Sequence, residues 1–224
     1  MNESFFLLHI FIVLMFLLIA LRLGKNYVFA LVVLQSILAN IFVIKQISLF
    51  SMSVTATDIF IVGTILGQNL IQEYYSKKEA LKLINISFFS MLFFLVMSKI
   101  HLLYSPSPLD STHQSFVNIF SNTPRIVISS ILVFYIAQRL DILIFAFLKK
   151  IFKDKKLSFR MFLSASITQF IDTVLFSYLA LYGVVSSIFN IILFSYLIKM
   201  ITTFLSSIFI GFSKYFVKKE FLKE

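Results

Sequence analysis

The chain has 224 residues, 59% of them hydrophobic, and a mean hydropathy of +0.96. A soluble domain holds roughly 45–50% apolar residues and at this length has too little interior to hide more, so composition excludes a soluble protein and makes lipid part of the solvent. The absence of cysteine removes disulfide frameworks, thiolate catalysis and cysteine metal sites, and the net charge of +10 lies between apolar runs, where it reports topology rather than nucleic-acid binding.

Crossing the hydrocarbon takes about 20 helical residues, and seven runs meet that length. The first, Ser4–Leu23, lacks a basic leader and an obvious cleavage site and outlasts a signal-peptide core, which predicts a retained helix. "RLGKN" separates it from Tyr27–Ile47. Val54–Tyr75 follows, then "SKKEALK" and Leu81–Leu103. The one long loop, "YSPSPLDSTHQSFVNIFSNTP", ends at Pro124, a residue suited to a helix start, and opens the fifth run, Pro124–Leu148. "KKIFKDKK", the most basic connection, leads to Phe159–Gly183, and Ser186–Phe212 is the seventh. Alternating ten-residue strands are absent, which argues against a barrel. The predicted fold is all-α: a polytopic membrane helix bundle of seven helices in a single domain over residues 1–224.

Most of the twenty Lys and Arg residues fall on one side of that topology: Arg22, Lys25, Lys77, Lys78, Lys82, Lys149, Lys150, Lys153, Lys155, Lys156, Arg160, Lys214, Lys218, Lys219 and Lys223. Lys45, Lys99 and Arg125 lie near the other side, and Arg139 and Lys199 within spans. Positive residues collect on the cytoplasmic face, so the expected amino terminus is outside and the carboxyl terminus inside.

Ionisable and amide side chains inside the spans are costly and belong in the bundle interior. They are Asn40, Asp58, Gln68, Asn69, Glu73, Gln138, Arg139, Asp141, Gln169, Asp172 and Lys199. Gln138 and Asp141 are three apart, as are Gln169 and Asp172, and Asn69 and Glu73 are four apart, so each pair shares a helix face. Thr168 lies on the stripe of Asp172. Gln138, Gln169, Asp172 and Lys199 fall nearest mid-membrane, and together these helices predict one internal ligand cavity with the two Gln-x-x-Asp pairs on opposite walls. The competing reading is structural: Asp172 paired with Lys199, Asp141 with Arg139 or a loop cation, and Glu73 and Asp141 near the cytoplasmic interface.

Carboxylates accept hydrogen bonds, while Gln and Asn donate and accept. That mixture suits the edge of a planar heterocycle bearing an amide and an amino group. The three histidines have no metal-ligand spacing, five glycines form no phosphate loop, and no nucleophile–base arrangement lies within the spans. No enzyme activity, cofactor or metal is expected. Transport is the remaining class, beside a purely structural membrane protein.

"ILANIFVIKQISLF" (37–50), "TDIFIVGTILGQNLIQEYYSKKEALKLI" (57–84), "RIVISSILVFYIAQRLDILIFAFLKK" (125–150) and "RMFLSASITQFIDTVLFSYLALYG" (160–183) resemble a bacterial family of queuosine precursor transporters, grouped with vitamin-uptake-like carriers. The resemblance runs from Gly24 to about Lys199. It implies a six-helix core similar to the substrate-binding subunits of energy-coupling-factor importers, plus one helix, and 7-deazaguanine substrates: the 7-cyano base, the 7-aminomethyl base or queuine. Asn40, Lys45, Glu73, Arg125, Gln138, Asp141, Gln169, Asp172 and Lys199 match the family's recurring polar positions. Gln68-Asn69 stand where a Thr-Asp pair is usual, Asp58 where Asn is expected and Ser76 where Gly is usual, and an Asp-Thr-Pro motif is missing from the last run. The expected substrate-binding set is Asn40, Gln68, Asn69, Glu73, Arg125, Gln138, Asp141, Gln169, Asp172 and Lys199. With Asn69 in place of a carboxylate, a neutral base or queuine is expected over the cationic aminomethyl base. The expected partners are this small purine-like base and the lipid bilayer, with no direct contact to nucleic acid. A homo-oligomer, a separate ATPase partner and a proton carried by Asp141 or Glu73 all fit the sequence, as does facilitated diffusion in a bacterial inner membrane.

Overall fold

The computed structural model describes residues 1–43, 45–50, 52–55, 57–120, 124–183 and 188–217. Ser186, which opens the seventh apolar run, and Lys218, Lys219 and Lys223 of the basic side lie outside them. Helix α1 (Asn2–Leu23) turns directly into α2 (Lys25–Phe42) through Gly24, whose φ of 122° suits only glycine. A hairpin of β1 (Gln46–Leu49) and β2 (Met52–Thr55) comes next, followed by α3 (Asp58–Tyr74) and α4 (Lys77–His101). A short surface helix, α5 (His113–Phe120), precedes α6 (Pro124–Ile151). Helix α7 (Leu157–Phe176) widens into a π turn, Ser177–Leu181, and α8 (Ile188–Ile210) ends near a 3₁₀ turn, Ser213–Tyr215.

Six helical segments among the described residues are long and apolar enough to cross a membrane. The remaining predicted run, Val54–Tyr75, is divided: its first residues belong to β2, and α3 keeps 17 residues, about 26 Å of helix. That length is at the lower limit for a span, yet α3 runs from the hairpin end of the bundle to the end that holds the basic loops. The hairpin was not expected from hydropathy. "QISLFSMSVT" joins β-branched residues across a two-residue loop, and Phe50 takes the positive φ, 49°, that such a loop requires. The amino terminus ties it down: Asn2 Nδ2 donates to the Ser48 carbonyl at 2.8 Å, and the Phe50 N–H donates to Glu3 Oε1 at 3.2 Å.

Helix α3 is the axis of the bundle. Every residue from Val62 to Gln72 is buried, and α1, α2, α4, α6, α7 and α8 all pack on it. One face is glycine. A Cβ on Gly63 would overlap Gln35, and one on Gly67 would lie 2.5 Å from Val32 Cγ2 and 3.1 Å from Leu17 Cδ2. This is the small-xxx-small spacing that lets membrane helices approach closely. A second face, about a third of a turn away, carries Thr64, Gln68 and Gln72 at four-residue steps, toward α6. At the start of α4, Ser76 Oγ accepts from the Glu79 N–H at 3.1 Å, so serine caps a helix here where the resemblance implied glycine.

Gly67→Ala should force α1 and α2 away from α3 and destabilise the protein by roughly 1–3 kcal/mol, the usual cost of overpacking. Thermal unfolding in detergent will show a lowered midpoint; an unchanged midpoint would mean that this face has room to spare.

Candidate functional site

A cavity of about 160 Å³ lies in the half of the bundle nearer the hairpin, between α2, α3, α6, α7 and α8. A dry cavity of about 150 Å³ already holds one benzene ring. This one adjoins a smaller cleft that shares Asn40, Val43, Ser130 and Phe176 with it. Its wall is mixed. Phe134 and Phe176 supply aromatic faces, Ile61, Val133 and Ile191 supply aliphatic surface, and Asn40, Asp58, Asp172 and Lys199 supply the polar groups.

Lys199 Nζ donates to Asp172 Oδ2 at 2.7 Å and to Thr173 Oγ1 at 3.1 Å. An ion pair this far from water stands only where each partner compensates the other. Asp58, at the first turn of α3, lies close enough to feel both charges. Asn40 donates to the Ser36 carbonyl at 2.9 Å and accepts from Ser130 Oγ at 3.1 Å, which fixes its amide on the wall. The π turn lies alongside, contributing Ser177 and Leu181; such widened turns recur at functional sites.

One helical turn further, about 6 Å, the wall gives way to a packed polar layer centred on Asp141. Ser164 Oγ donates to Asp141 Oδ1 at 2.6 Å, Thr168 Oγ1 to the same oxygen at 3.1 Å, and Gln68 Nε2 to Oδ2 at 3.2 Å. Gln68 also donates to the Gln138 carbonyl at 3.0 Å, and Gln138 Nε2 donates to Thr64 Oγ1, itself on the cavity wall, at 3.0 Å. Asn69 and Gln169 are buried in this region, Asn69 beside Asp141, and the amide atoms of both lack a hydrogen-bond partner among the described residues. Below this layer, at the basic end, Arg160 holds Glu73 with two hydrogen bonds of 2.8 and 3.1 Å, Lys149 adds an ion pair at 3.1 Å, and Gln72 donates to the Ile142 carbonyl at 2.9 Å.

The structure therefore sorts the expected site residues into three levels. Asn40, Asp172 and Lys199 meet at the cavity. Gln68, Asn69, Gln138, Asp141 and Gln169 form the layer beneath it. Glu73 closes the basic end, where the Arg160 guanidinium, itself fully buried, draws it away from the cavity. Arg125 is outside all three: at the hairpin end it donates to the Leu179 carbonyl at 2.7 Å and to the Tyr178 carbonyl at 3.5 Å, satisfying the open end of the π turn. The two Gln-x-x-Asp pairs are not opposite walls of one cavity, because Asp141 faces Ser164 and Thr168 on α7 one turn below Asp172. Nor does Arg139 pair with Asp141; it is exposed, donates to Asn85 Oδ1 at 3.1 Å and lies over the Tyr135 ring. Asp58, Thr57, Ser36, Ser130, Phe134 and Phe176 join the wall without having been in the expected set. Asp58 was visible as a charge within a span; the others carry no signal that distinguishes them from ordinary interior residues.

Comparison with known proteins follows the same line. The family described as "Putative vitamin uptake transporter" matches residues 55–213. Over 212 residues, covering 92% of this chain and 91% of the relative, the chain is 27% identical to a Bacillus subtilis (strain 168) protein named "Probable queuosine precursor transporter". No solved structure matches it.

Glu73→Leu leaves the Arg160 guanidinium buried without its carboxylate, so stability should fall by roughly 3–5 kcal/mol. Denaturation in detergent tests this, and a loss under about 1 kcal/mol would place Arg160 in contact with water.

Proposed function

Because the chain belongs to the vitamin uptake transporter family, we propose that this multi-pass membrane transporter imports a queuosine precursor, a 7-deazaguanine base, across a bacterial inner membrane for salvage into tRNA. The observation that carries the reading is the cavity itself: an ion pair, a second carboxylate, an anchored amide and two phenylalanine rings, within a bundle otherwise built for lipid. The name of the relative supports the substrate class.

In this reading the ring N–H and amino group of the base donate to Asp172 or Asp58, and its carbonyl accepts from Lys199 or from Asn40 Nδ2. Phe134 or Phe176 stacks on the ring face. Every polar edge of the base is then matched by a group of the opposite hydrogen-bonding sense. Gln138 acts on the base through Thr64. The amino terminus and hairpin lie outside and the basic loops in the cytoplasm, so the cavity is nearer the outer side and the Asp141 layer with the Glu73–Arg160 pair forms the closed inner gate. Transport proceeds by alternating exposure of the cavity.

The expectation of a neutral base rested on Asn69, which lies beside Asp141 rather than on the cavity wall. At the wall two carboxylates, Asp58 and Asp172, face one ammonium, Lys199, a formal balance that favours a cationic substrate. In competition against labelled 7-cyano-7-deazaguanine, the 7-aminomethyl base should therefore displace the label at least as well as the unlabelled cyano base. Clear preference for the cyano base would remove Asp58 from the recognition set.

Asp172→Asn should weaken base binding roughly ten- to hundredfold, the worth of a hydrogen bond to a charged group. Asp172→Asn combined with Lys199→Gln removes both charges together and keeps the protein foldable for the measurement. Binding in detergent and queuosine content of tRNA, in cells lacking precursor synthesis and their own transporter, are the readouts. Undiminished affinity in the folded double variant would take the ion pair out of the site.

A further inference from the structure

Asp141 is fully buried, and no cation among the described residues lies within ion-pair distance of it. A carboxylate held permanently charged in such a place is costly, and a carboxamide or hydroxyl would pack as well. The groups around it have an unusual property: they serve either protonation form. Ser164 Oγ lies 2.6 Å from Asp141 Oδ1 and 3.3 Å from the Asp141 backbone carbonyl. With the carboxylate ionised, the serine hydroxyl donates to Oδ1. With a proton on Oδ1, the carboxyl donates to Ser164 Oγ and the serine hydrogen turns to the backbone carbonyl. Both arrangements satisfy every atom of the pair without moving a heavy atom. Gln68 completes the link, since the amide that reaches Asp141 Oδ2 also holds the Gln138 carbonyl, and Gln138 holds Thr64 on the cavity wall.

We propose that Asp141 is a proton-binding site whose occupancy is coupled to movement of the substrate, making the protein a proton-driven importer. The inference rests on the transport reading above. The proton binds Asp141 Oδ1 while the layer communicates with the outer solution through the cavity, and it leaves to the cytoplasm when the inner gate opens. The charged groups that share the faces around Asp141 are Glu73 on α3, Lys149 on α6 and Arg160 on α7, and these are bound to one another at the basic end. On α8, Lys199 is bound to Asp172. Each of these four has its partner. Asp58, on α3, has no ion pair among the described residues but lines the substrate cavity, so within the layer itself Asp141 is the carboxylate whose surroundings accept a change of charge. Loss of its negative charge reverses the bond to Ser164 and weakens those from Thr168 and Gln68, which join α3, α6 and α7 at the gate.

The test uses the full-length protein in proteoliposomes with labelled 7-cyano-7-deazaguanine. Exchange of labelled for unlabelled base with no gradient measures transport alone; its absence from the wild type overturns the transport reading and this inference with it. With exchange present, an inward gradient of one pH unit should drive about tenfold accumulation for one proton per base, and a protonophore should abolish it. Exchange without any response to the gradient overturns proton coupling and leaves the transport reading in place. In Asp141→Asn, exchange should persist while accumulation disappears; accumulation that survives places the proton elsewhere. Ser164→Ala with Thr168→Val keeps the carboxylate and removes two of its donors, so the pH profile of gradient-driven uptake should shift by about one unit or more. An unmoved profile overturns the assignment to Asp141.

Discussion

A helix that carries Gln68, Asn69, Gln72 and Glu73 within two turns cannot face lipid, and the bundle is arranged around that constraint. Every such group needs a protein partner, because hydrocarbon offers none. The chain meets the demand by surrounding α3 on all sides. Its glycines let side chains of α1 and α2 pack directly on its backbone along one face, and its amides bond to α6 along another. The cavity, the Asp141 layer and the Glu73–Arg160 lock are successive levels along one polar stripe, spaced by the helical repeat.

Much of this arrangement was legible in the sequence. Helix length and hydropathy mark the spans, and clustering of Lys and Arg marks one end, because both are local properties read without knowing any neighbour. The pairing of Asp172 with Lys199 was also foreseeable, since two opposite charges at mid-membrane have few other ways to be accommodated. What periodicity does not reveal is which helix a face meets. Gln138 and Asp141 lie on one stripe and Gln169 and Asp172 on another, yet facing stripes are offset along the helix axes by one turn. That offset, set by packing between α6 and α7, puts Thr168 opposite Asp141 and leaves Asp172 at the cavity. Glu73 was equally ambiguous until Arg160, distant in sequence, was placed beside it. The hairpin escaped notice for a different reason: hydropathy alone does not separate a short β-branched strand from the first turn of an apolar helix.

The three levels also divide the work. The cavity mixes aromatic and charged surface with open volume, the physical requirement for holding a ligand. In the layer beneath, the donors around Asp141 are matched to its carboxylate oxygens. Among the described residues, both amide atoms of Asn69, both of Gln169 and Gln138 Oε1 have no hydrogen-bond partner in this layer. The ion-pair cluster at the basic end is bidentate at Arg160, which is fully buried, and reaches the surface through the partly exposed Lys149.

The π turn at Ser177–Leu181 bears on how such a wall changes over evolutionary time. A π turn is one residue inserted into an α-helix, and one residue is a phase of about 100°. Phe176, Ser177 and Leu181, at and just before that insertion, face the cavity together. Sliding the insertion along the helix by a single position would rotate a different trio into view while leaving the rest of α7, and its contacts to α6 and α8, in register. Ligand preference in a bundle of this kind can thus drift by moving a bulge rather than by exchanging the residues that line the wall.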